Sequence, residues 1–438
     1  MTWLRRARTA AAAALLFGHA AGCVSGADAG VGHEAPPRHE PDVTDGLEAL
    51  LGELPAAVDD GLTHEIALED PERALARALE RGLRRTLREE GTLRIAFFGS
   101  SHVAGDLVTG FLRQHLQRHF GDAGHGFVTA VPPYASYWQW GVRVEEGEGW
   151  SVAEANAKDM SPGAYGLTGM GFDAIEPAWA RVATDGTSAS HLEVHYLRQP
   201  GGGPLGGAID GVPLVVETAF ERRAAGIEYV ALAQGAHEIE LVADGTSSAR
   251  VYGFVLEREA PGVIVDQLGV NGMTPAIALL SDEAIAADFL AARRPDVVAV
   301  WLGANEASET WPLEHQAARL RELVTRLRAA APRAACLVVG PLDRRQHLPD
   351  GTPFVPPALL GLVEVHRTVA RELGCAYYDA LAWQGGPGAV ERFEAADPPL
   401  IRPDRLHLSH DGYLRFGASL LRALLRPLLE TPTGAGER

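Results

Sequence analysis

The chain has 438 residues, of which 46% are hydrophobic and 22% are charged. This composition is typical of a globular protein, and the length predicts more than one domain, each large enough for its own core. The formal net charge of −18 and the lack of a basic run argue against non-specific binding to nucleic acid or to an anionic membrane surface.

The N-terminal segment has the features of a secretory leader. A basic stretch at 5–8 precedes an apolar run at 10–17 that is too short to cross a bilayer, and Ala20-Ala21-Gly22-Cys23 follows. These four residues resemble the lipobox of bacterial lipoproteins, which implies a signal peptide at 1–23 and a lipidated Cys23. Because Ala20 stands where leucine is usual, secretion with Cys23 left free is the alternative.

Residues 24–60 contain Gly, Pro, His and acidic residues without a period, and we predict a flexible tether there. No later apolar run reaches the roughly 18 residues that a transmembrane helix needs. The remaining cysteines, Cys336 and Cys375, lie in apolar surroundings, which favours two buried free thiols over a disulfide. No CxxC or HExxH spacing is present, so we expect neither a metal site nor a cofactor.

Helical and strand-like patterns alternate along most of the chain. Leucines at i+4 spacing predict a helix at 70–87, with Asp70 as its cap, and the apolar run 93–98 predicts a buried strand. Further strands are predicted at 263–265, 297–302, 336–340 and 376–379, and further helices at 103–120, 282–293, 312–330, 358–372 and 412–425. This alternation predicts an α/β fold in which helices cover both faces of a parallel sheet.

The pattern of hydrophobic and turn-forming residues changes between residues 141 and 261. Gly and Ser separate several short alternating runs there, which predicts an all-β sandwich inserted into the α/β domain. The α/β domain would then consist of 61–140 and 262–430, followed by a disordered tail at 431–438.

Four short motifs offer the parts of one hydrolytic site. They are Gly99-Ser100-Ser101-His102, Gly269-Val270-Asn271-Gly272, Gly303-Ala304-Asn305-Glu306 and Asp404-Arg405-Leu406-His407. A serine nucleophile needs a base, a group that orients the base, and donors directed at the developing oxyanion. In content and order the motifs resemble those of the SGNH (GDSL-like) hydrolase superfamily. The inserted β-domain resembles the layout of bacterial peptidoglycan O-acetylesterases, which carry a carbohydrate-binding-like β-domain between the first two motifs.

The resemblance implies a role for each of five residues. Ser101 is the nucleophile, although its neighbours Ser100 and His102 depart from the family pattern. His407 is the base and Asp404 the carboxylate that orients it. The backbone N–H groups of Ser101 and Gly272 and the side-chain amide of Asn305 form the oxyanion hole.

Each assignment has a plainer alternative. Ser100 or Ser101 could cap the following helix, Gly272 could belong to an ordinary turn, and Asn305 could be a helix cap. His410 is the competing base, but it precedes Asp411-Gly412 and lacks the Asp-x-x-His spacing. His102 and His125 are expected to be structural rather than catalytic. The aromatic stretch 134–140 could stack on sugar rings or belong to the core.

The function that the resemblance implies is a serine esterase that removes O-acetyl groups from an extracytoplasmic glycan, peptidoglycan in particular. Its expected partners are the acetylated glycan and the membrane, through a lipid anchor at Cys23 in the cell envelope. A glycan O-acetyltransferase that uses the same residues is one alternative. A non-catalytic glycan-binding lipoprotein is another, and the intact set of motifs disfavours it. A lipase is disfavoured because the sequence shows no long apolar lid.

Overall fold

The computed structural model describes residues 43–56, 60–135, 137–245 and 248–430. The predicted signal peptide with Cys23, and the predicted tail at 431–438, lie outside the described residues. The strands are β1 (Thr92–Gly99), β2 (Gly124–Thr129), β3 (Arg143–Glu146), β4 (Trp150–Glu154), β5 (Met170–Ala174), β6 (Pro177–Ala183), β7 (Ala189–Arg198), β8 (Leu205–Ile209), β9 (Val212–Val216), β10 (Ala224–Gly235), β11 (Glu238–Asp244), β12 (Ala249–Glu257), β13 (Gly262–Gly269), β14 (Val297–Trp301), β15 (Ala335–Val339), β16 (Gln346–His347), β17 (Pro353–Phe354) and β18 (Ala376–Tyr378).

The helices are α1 (Val43–Glu53), α2 (Ala74–Leu87), α3 (Ser101–Ala104), α4 (Leu107–Phe120), α5 (Pro275–Ala278), α6 (Glu283–Arg293), α7 (Leu313–Ala330), α8 (Leu359–Glu372), α9 (Ala380–Trp383), α10 (Ala389–Glu394) and α11 (His410–Leu429). A turn of 3₁₀-helix occupies Glu306–Ser308.

Five apolar strands form a parallel sheet in the order β13-β1-β14-β15-β18. Alternate residues of β1 belong to different clusters of buried hydrophobic side chains. Ile95 and Phe97 pack with α2, α4 and α11, whereas Ala96 packs with α6. The sheet is therefore covered by helices on both faces. Because both faces are buried, the sequences of its strands are nearly continuous apolar runs. The predicted fold class, a parallel sheet flanked by helices with additional antiparallel sheets, is confirmed.

The helix before β1 begins at Ala74, later than predicted, and Arg73 rather than Asp70 takes its N-cap position. The Asp70 carboxylate accepts hydrogen bonds from the backbone N–H groups of Ala74 and Ala76 at 2.9 and 3.0 Å, which satisfies donors of the first turn of α2. The leucines of its apolar stripe are buried, among them Leu75 and Leu79. The face that the leucine spacing indicates is thus the face that packs on the sheet.

The single helix predicted at 103–120 is wrong, because it is two helices. Asp106 interrupts them with a φ of 52°, in the left-handed region. Its buried carboxylate accepts hydrogen bonds from the Thr109 hydroxyl and the Trp140 backbone N–H, and it pairs with the guanidinium of Arg113. The hydrophobic period continues across the break, so the sequence pattern conceals it. The break separates the short α3, which carries Ser101, from α4.

The tether predicted at 24–60 is also wrong over part of its length. Residues 43–53 form α1, and Val43, Leu47 and Leu50 are buried against α2, α4 and α11. Their i, i+4, i+7 spacing is helical, but it lies within a Gly- and Pro-rich stretch that masks it. Burial of this face gives the segment a place in the core of the α/β part.

Residues 124–257 build two antiparallel sheets. One has the order β10-β7-β12-β5-β4, with β2 also pairing to β12, and the other has the order β3-β6-β11-β8-β9. Both contribute to one buried cluster, among them Phe172, Val194 and Val251 from the first sheet and Val182, Val216 and Leu241 from the second. The sheets therefore pack face to face as a sandwich. Because β2 precedes residue 141, this arrangement begins earlier in the chain than the predicted insert; the division into domains stays a prediction.

A buried ion network joins the sandwich to the parallel sheet. Arg293, the last residue of α6, is 1% exposed and donates two hydrogen bonds of 3.0 Å to the carboxylate of Asp266 in β13. Its guanidinium also lies 2.6 Å from the carboxylate of Glu257 in β12. Arg94 of β1 donates a further 2.7 Å bond to Glu257. Each buried charge thus has a partner, as burial requires.

Cys336 and Cys375 form a disulfide bond, so the prediction of two buried free thiols is wrong. Cys336 lies in β15 and Cys375 directly precedes β18, and these strands are neighbours in the parallel sheet. The register pairs Leu337 with Ala376 and so brings the two preceding residues opposite each other. Strand pairing across 39 residues is a property of the topology, which the local sequence around each cysteine does not reveal.

Of the helices in the described ranges, none has both the length and the apolar character needed to cross a membrane.

Candidate active site

Three of the four motifs meet at one edge of the parallel sheet. Ser101 follows β1, Gly272 follows β13 and Asn305 follows β14, and these strands are immediate neighbours in the order β13-β1-β14. The carboxyl ends of parallel strands all lie at the same edge, so the loops that leave them converge there. The fourth motif lies in the loop that precedes α11 and brings His407 to the same edge.

Ser101, His407 and Asp404 form one hydrogen-bonded series. The distance between His407 Nε2 and Ser101 Oγ is 2.7 Å, and that between His407 Nδ1 and Asp404 Oδ2 is 2.8 Å. A carboxylate can only accept hydrogen bonds, so Nδ1 carries the proton and Nε2 is left to accept the Ser101 hydroxyl. This is the arrangement in which a histidine can remove the proton of an attacking serine.

Asp404 is held ionised by its neighbours. Partial burial raises the pKa of its carboxyl, but hydrogen bonds from the His407 backbone and ring and from the Leu406 backbone outweigh burial and lower that pKa below its usual value. The two backbone bonds, at 2.9 and 3.0 Å, both reach Oδ1 and leave Oδ2 for the ring. The three-residue spacing from Asp404 to His407 therefore closes a turn that orients the base.

Two backbone N–H groups at the site have no acceptor among the described residues. They belong to Ser101 and Gly272, whereas the neighbouring Asn271 and Met273 both donate backbone hydrogen bonds. Gly272 has a φ of 78°, and a Cβ built on it would meet no atom within 4 Å. Its N–H group therefore borders open space, as a donor to an oxyanion must.

The Asn305 side chain is held beside these donors. Its amide nitrogen donates one hydrogen bond of 3.0 Å to the Met273 carbonyl, which leaves its second hydrogen free for another acceptor. This bond ties the loop after β14 to the loop after β13. Asn305 takes the N-cap position of the 3₁₀ turn at Glu306–Ser308, but its side chain makes no capping hydrogen bond, so the interpretation of its amide as a helix cap is wrong.

Residues on either side of Asn305 stabilise its loop. The Glu306 carboxyl accepts a 2.9 Å hydrogen bond from the Gly303 backbone N–H, and complete burial raises its pKa to about 8, so it is neutral at pH 7. The Arg344 guanidinium donates to the Ala304 carbonyl, and burial lowers its pKa below the usual arginine value. Both contacts fix the backbone that presents the Asn305 amide.

His102 also lines the cleft, but it is buried, and its expected structural role stays a prediction. Its ring stacks on Trp301 with centroids 5.0 Å apart, and its Nδ1 lies 2.9 Å from the Tyr413 hydroxyl. Burial, followed by the charge of His407, lowers the pKa of His102 to about 3, so it is neutral at physiological pH. A neutral ring there supports α3 without adding charge beside the base.

The Ser101 hydroxyl opens into a cleft of about 120 Å³, which Tyr134, Trp138 and Asn271 also line. Trp138 is 46% exposed, and the Tyr134 hydroxyl accepts a 3.1 Å hydrogen bond from the Asn271 backbone N–H. Tyr137, in contrast, is buried and donates to Gln267. The aromatic stretch 134–140 therefore divides between a wall of the cleft and the core, and stacking of its exposed ring on a sugar stays a prediction.

The structure thus brings together all five predicted site residues, and their catalytic roles stay predictions. His410 is exposed as the first residue of α11 and does not line the cleft, and His125 is buried in β2. Sequence reasoning missed Arg402, Arg344 and Tyr413. Of these three, Arg402 could have been identified from the sequence, because it lies two residues before Asp404. Within the described ranges, no group of three or more His, Cys, Asp or Glu side chains is placed to hold a metal ion.

Residues 232–415 match the model of the GDSL-like Lipase/Acylhydrolase family. The match includes Gly272, Asn305, Asp404 and His407 but begins after Ser101, whose place in the site rests on the 2.7 Å contact with His407. No curated protein matches the chain in sequence.

A solved structure of a peptidoglycan O-acetylesterase is similar to this chain with a TM-score of 0.67 at 20% sequence identity, over 82% of this chain and 97% of that one. A family two carbohydrate esterase from Clostridium thermocellum, solved with cellohexaose, has a TM-score of 0.28 at 12% identity, over 64% and 99% of the two chains. One from Cellvibrio japonicus has a TM-score of 0.26 at 10% identity, over 66% and 99%. These last two values are too low to bear on the fold. The chain therefore has the fold of the solved peptidoglycan O-acetylesterase, and its segment 232–415 is similar to the GDSL-like Lipase/Acylhydrolase family.

Proposed function

We propose that the protein is a serine esterase that removes O-acetyl groups from an extracytoplasmic glycan, with peptidoglycan as the favoured polymer. The observation that carries the proposal is the hydrogen-bonded series from Asp404 through His407 to Ser101. Beside it lie the Gly272 N–H group, which has no acceptor among the described residues, and the second amide hydrogen of Asn305. A scaffold that only binds glycan has no need of this arrangement. The fold similarity to a peptidoglycan O-acetylesterase supports the choice of polymer.

The chemistry follows from the positions of these atoms. Ser101 Oγ attacks the acetyl carbonyl carbon while its proton passes to His407 Nε2, and the oxyanion accepts from the Ser101 and Gly272 N–H groups and the Asn305 amide. His407 then gives the proton to the departing sugar oxygen, which leaves an acetyl ester on Ser101. Water attacks this ester with His407 again as base, which releases acetate and restores the serine hydroxyl.

The dimensions of the site favour a short acyl group. The cleft at Ser101 holds about 120 Å³. A larger apolar cavity of about 230 Å³ lies under α6 and α7, but neither Ser101 nor His407 lines it. A fatty acyl chain bonded to Ser101 would therefore lack an apolar channel, whereas an acetyl group needs none. The exposed Trp138 ring on the cleft wall offers a face for a sugar ring.

The test is release of acetate by the purified protein from acetylated peptidoglycan, with acetylated xylan and a lysophospholipid as comparison substrates. We expect acetate from acetylated glycan and no fatty acid from the lysolipid. Fatty-acid release without acetate release would overturn the proposal. A soluble sugar acceptor in the same assay distinguishes transfer from hydrolysis, because a transferase would acetylate the acceptor instead of producing free acetate.

We further propose an extracytoplasmic location with a lipid on Cys23. The leader-like segment before Cys23 motivates the proposal, and the Cys336–Cys375 disulfide supports it because disulfides persist in oxidising compartments. Mass spectrometry of the membrane fraction tests it: the mature N-terminus should be a diacylglyceryl-modified Cys23. An unmodified soluble protein cleaved elsewhere would contradict it.

A further inference from the structure

Arg402 belongs to the same loop as the base and its carboxylate. Its backbone N–H donates a 2.7 Å hydrogen bond to the His407 carbonyl, and its own carbonyl accepts a 2.9 Å bond from Arg405. Pro403 follows and restricts the backbone of Arg402 further. The point from which the guanidinium extends is therefore fixed relative to His407, and the side chain lines the cleft that contains Ser101.

The Arg402 guanidinium has no partner among the residues that the structure describes, which sets it apart from its neighbours in the chain. Every other arginine between 402 and 430 pairs with a carboxylate: Arg405 with Glu394, Arg415 with Asp60, and Arg422 and Arg426 with Glu65. The whole chain has 57 acidic and 39 basic residues, so carboxylates are in surplus. Arg402 is thus the one arginine of the segment 402–430 without a carboxylate partner among the described residues.

The cleft itself supplies no anion. The residues that line it include no aspartate or glutamate. The nearest carboxylate in sequence, Asp404, is already engaged by the His407 ring and by the backbone N–H groups of Leu406 and His407. Among the described residues, Arg402 therefore has no carboxylate partner, and its guanidinium is free to pair with an anion of the substrate.

We propose that Arg402 binds a carboxylate of the acylated substrate, so that the glycan is an acidic one with its carboxylate close to the ester. This deepens the proposed esterase function and rests on it. A guanidinium presents its donors in a planar fork that matches a carboxylate, and its charge does not depend on pH in the physiological range. With the ester at Ser101 and a sugar ring against Trp138, Arg402 selects for charge beside the scissile bond.

The carboxylate could be part of the sugar, as in a uronic acid, or be attached to it through an ether or a peptide. Two matched pairs of substrates distinguish these sources. One is chemically O-acetylated polygalacturonate and the same polymer with its carboxyl groups converted to amides. The other is a digest of O-acetylated peptidoglycan and the same digest amidated. p-Nitrophenyl acetate is the neutral reference ester.

Arg402→Gln should lower kcat/KM about tenfold on the charged member of one pair, the loss expected for one charge-assisted hydrogen bond. It should leave p-nitrophenyl acetate and the amidated member nearly unchanged. Amidation alone should cause a similar loss in the wild-type protein, and Arg402→Lys should restore part of the activity. Arg426→Gln, which removes an exposed arginine that pairs with Glu65, is the matched control and should change none of these values.

Two results would overturn the role of Arg402: equal losses on all substrates in Arg402→Gln, or no loss on either charged glycan. Calorimetric titration of Ser101→Ala with deacetylated polygalacturonate oligomers and peptidoglycan fragments separates this role from the esterase proposal. Binding that disappears in Ser101→Ala/Arg402→Gln supports the carboxylate site even if no acetate is released. Absence of any Arg402-dependent binding overturns it even if acetate release is normal.

Discussion

The parallel sheet and the antiparallel sandwich use their strand ends differently. In the parallel sheet, β13, β1 and β14 all end at one edge, where their loops place Gly272, Ser101 and Asn305 together. In the sandwich, neighbouring strands run in opposite directions, so their ends are divided between two edges, and none of the five predicted site residues lies on them. The candidate site lies at the parallel sheet because the loops that leave neighbouring parallel strands converge at one edge.

The two regions are nevertheless joined. β2 pairs with β12, Arg293 links Glu257 of the sandwich to Asp266 of the parallel sheet, and the segment between β2 and β3 brings Tyr134 and Trp138 to the cleft. Deletion of residues 141–261 would leave β2 without its partner strand. Point substitutions therefore test the separation of roles better than excision does.

The largest effect should follow from removal of the nucleophile or base at the parallel edge. Ser101→Ala and His407→Ala should each lower kcat on p-nitrophenyl acetate by about 10⁴-fold or more, with the thermal midpoint nearly unchanged. The double variant should be hardly worse than either single one, because the two groups act as a unit. Asp404→Asn should leave a measurable residue of activity.

His410→Ala is the control for the base, since His410 is exposed and does not line the cleft. It should stay largely active. An inactive His410→Ala beside an active His407→Ala would show that the base is misassigned. Full activity in a folded Ser101→Ala would exclude the serine mechanism.

The next effect is on stability, at the junction of the two regions. Arg293→Met leaves the buried Asp266 carboxylate without its guanidinium and should lower the free energy of unfolding by about 3–5 kcal/mol in urea titration. Arg321→Met, which removes a surface pair with Glu372, is the control and should cost about 0–1 kcal/mol. Equal losses of unfolding free energy in both variants would mean that the buried ion network stabilises the fold no more than a surface pair does.

This stability difference should depend on pH. Burial raises the pKa of the Glu257 carboxyl, but the charge of Arg293 and the hydrogen bond from Arg94 outweigh burial and lower that pKa to about 2. A carboxyl with a lowered pKa stabilises the fold above its unfolded pKa, and this contribution is lost as the pH falls through the folded value. The difference between wild type and Arg293→Met should therefore shrink as the pH falls below about 4.5.

The smallest effect should come from the aromatic segment that reaches the cleft. Tyr134→Phe removes the acceptor for the Asn271 backbone N–H and so loosens the loop that presents Gly272. We expect kcat on p-nitrophenyl acetate to fall about fivefold with little change in KM, as for loss of one hydrogen bond. Tyr229→Phe alters an exposed tyrosine of the sandwich and should have no effect. A KM effect without a kcat effect would assign Tyr134 to substrate binding instead.

Sequence patterns identified the elements of the α/β part because each depends on neighbouring residues. The leucines of α2, the Asp70 carboxylate that accepts from the first turn of this helix, and the apolar run of β1 are local features, and the structure has each of them. The patterns failed where a local signal was masked or absent. Helix α1 lies in a Gly- and Pro-rich stretch, and the break at Asp106 depends on bonds to distant partners such as Trp140.

By itself, the sequence determined the parallel α/β class, and the resemblance of its four motifs to those of SGNH hydrolases predicted the five residues of the candidate site. Only the tertiary structure decided the contacts between segments far apart in the chain. The order β13-β1-β14 brings the oxyanion donors together, the pairing of β15 with β18 joins Cys336 to Cys375, and the cleft leaves Arg402 without a carboxylate. Such contacts depend on which elements pack together, and that follows from burial of the whole chain rather than from any local pattern.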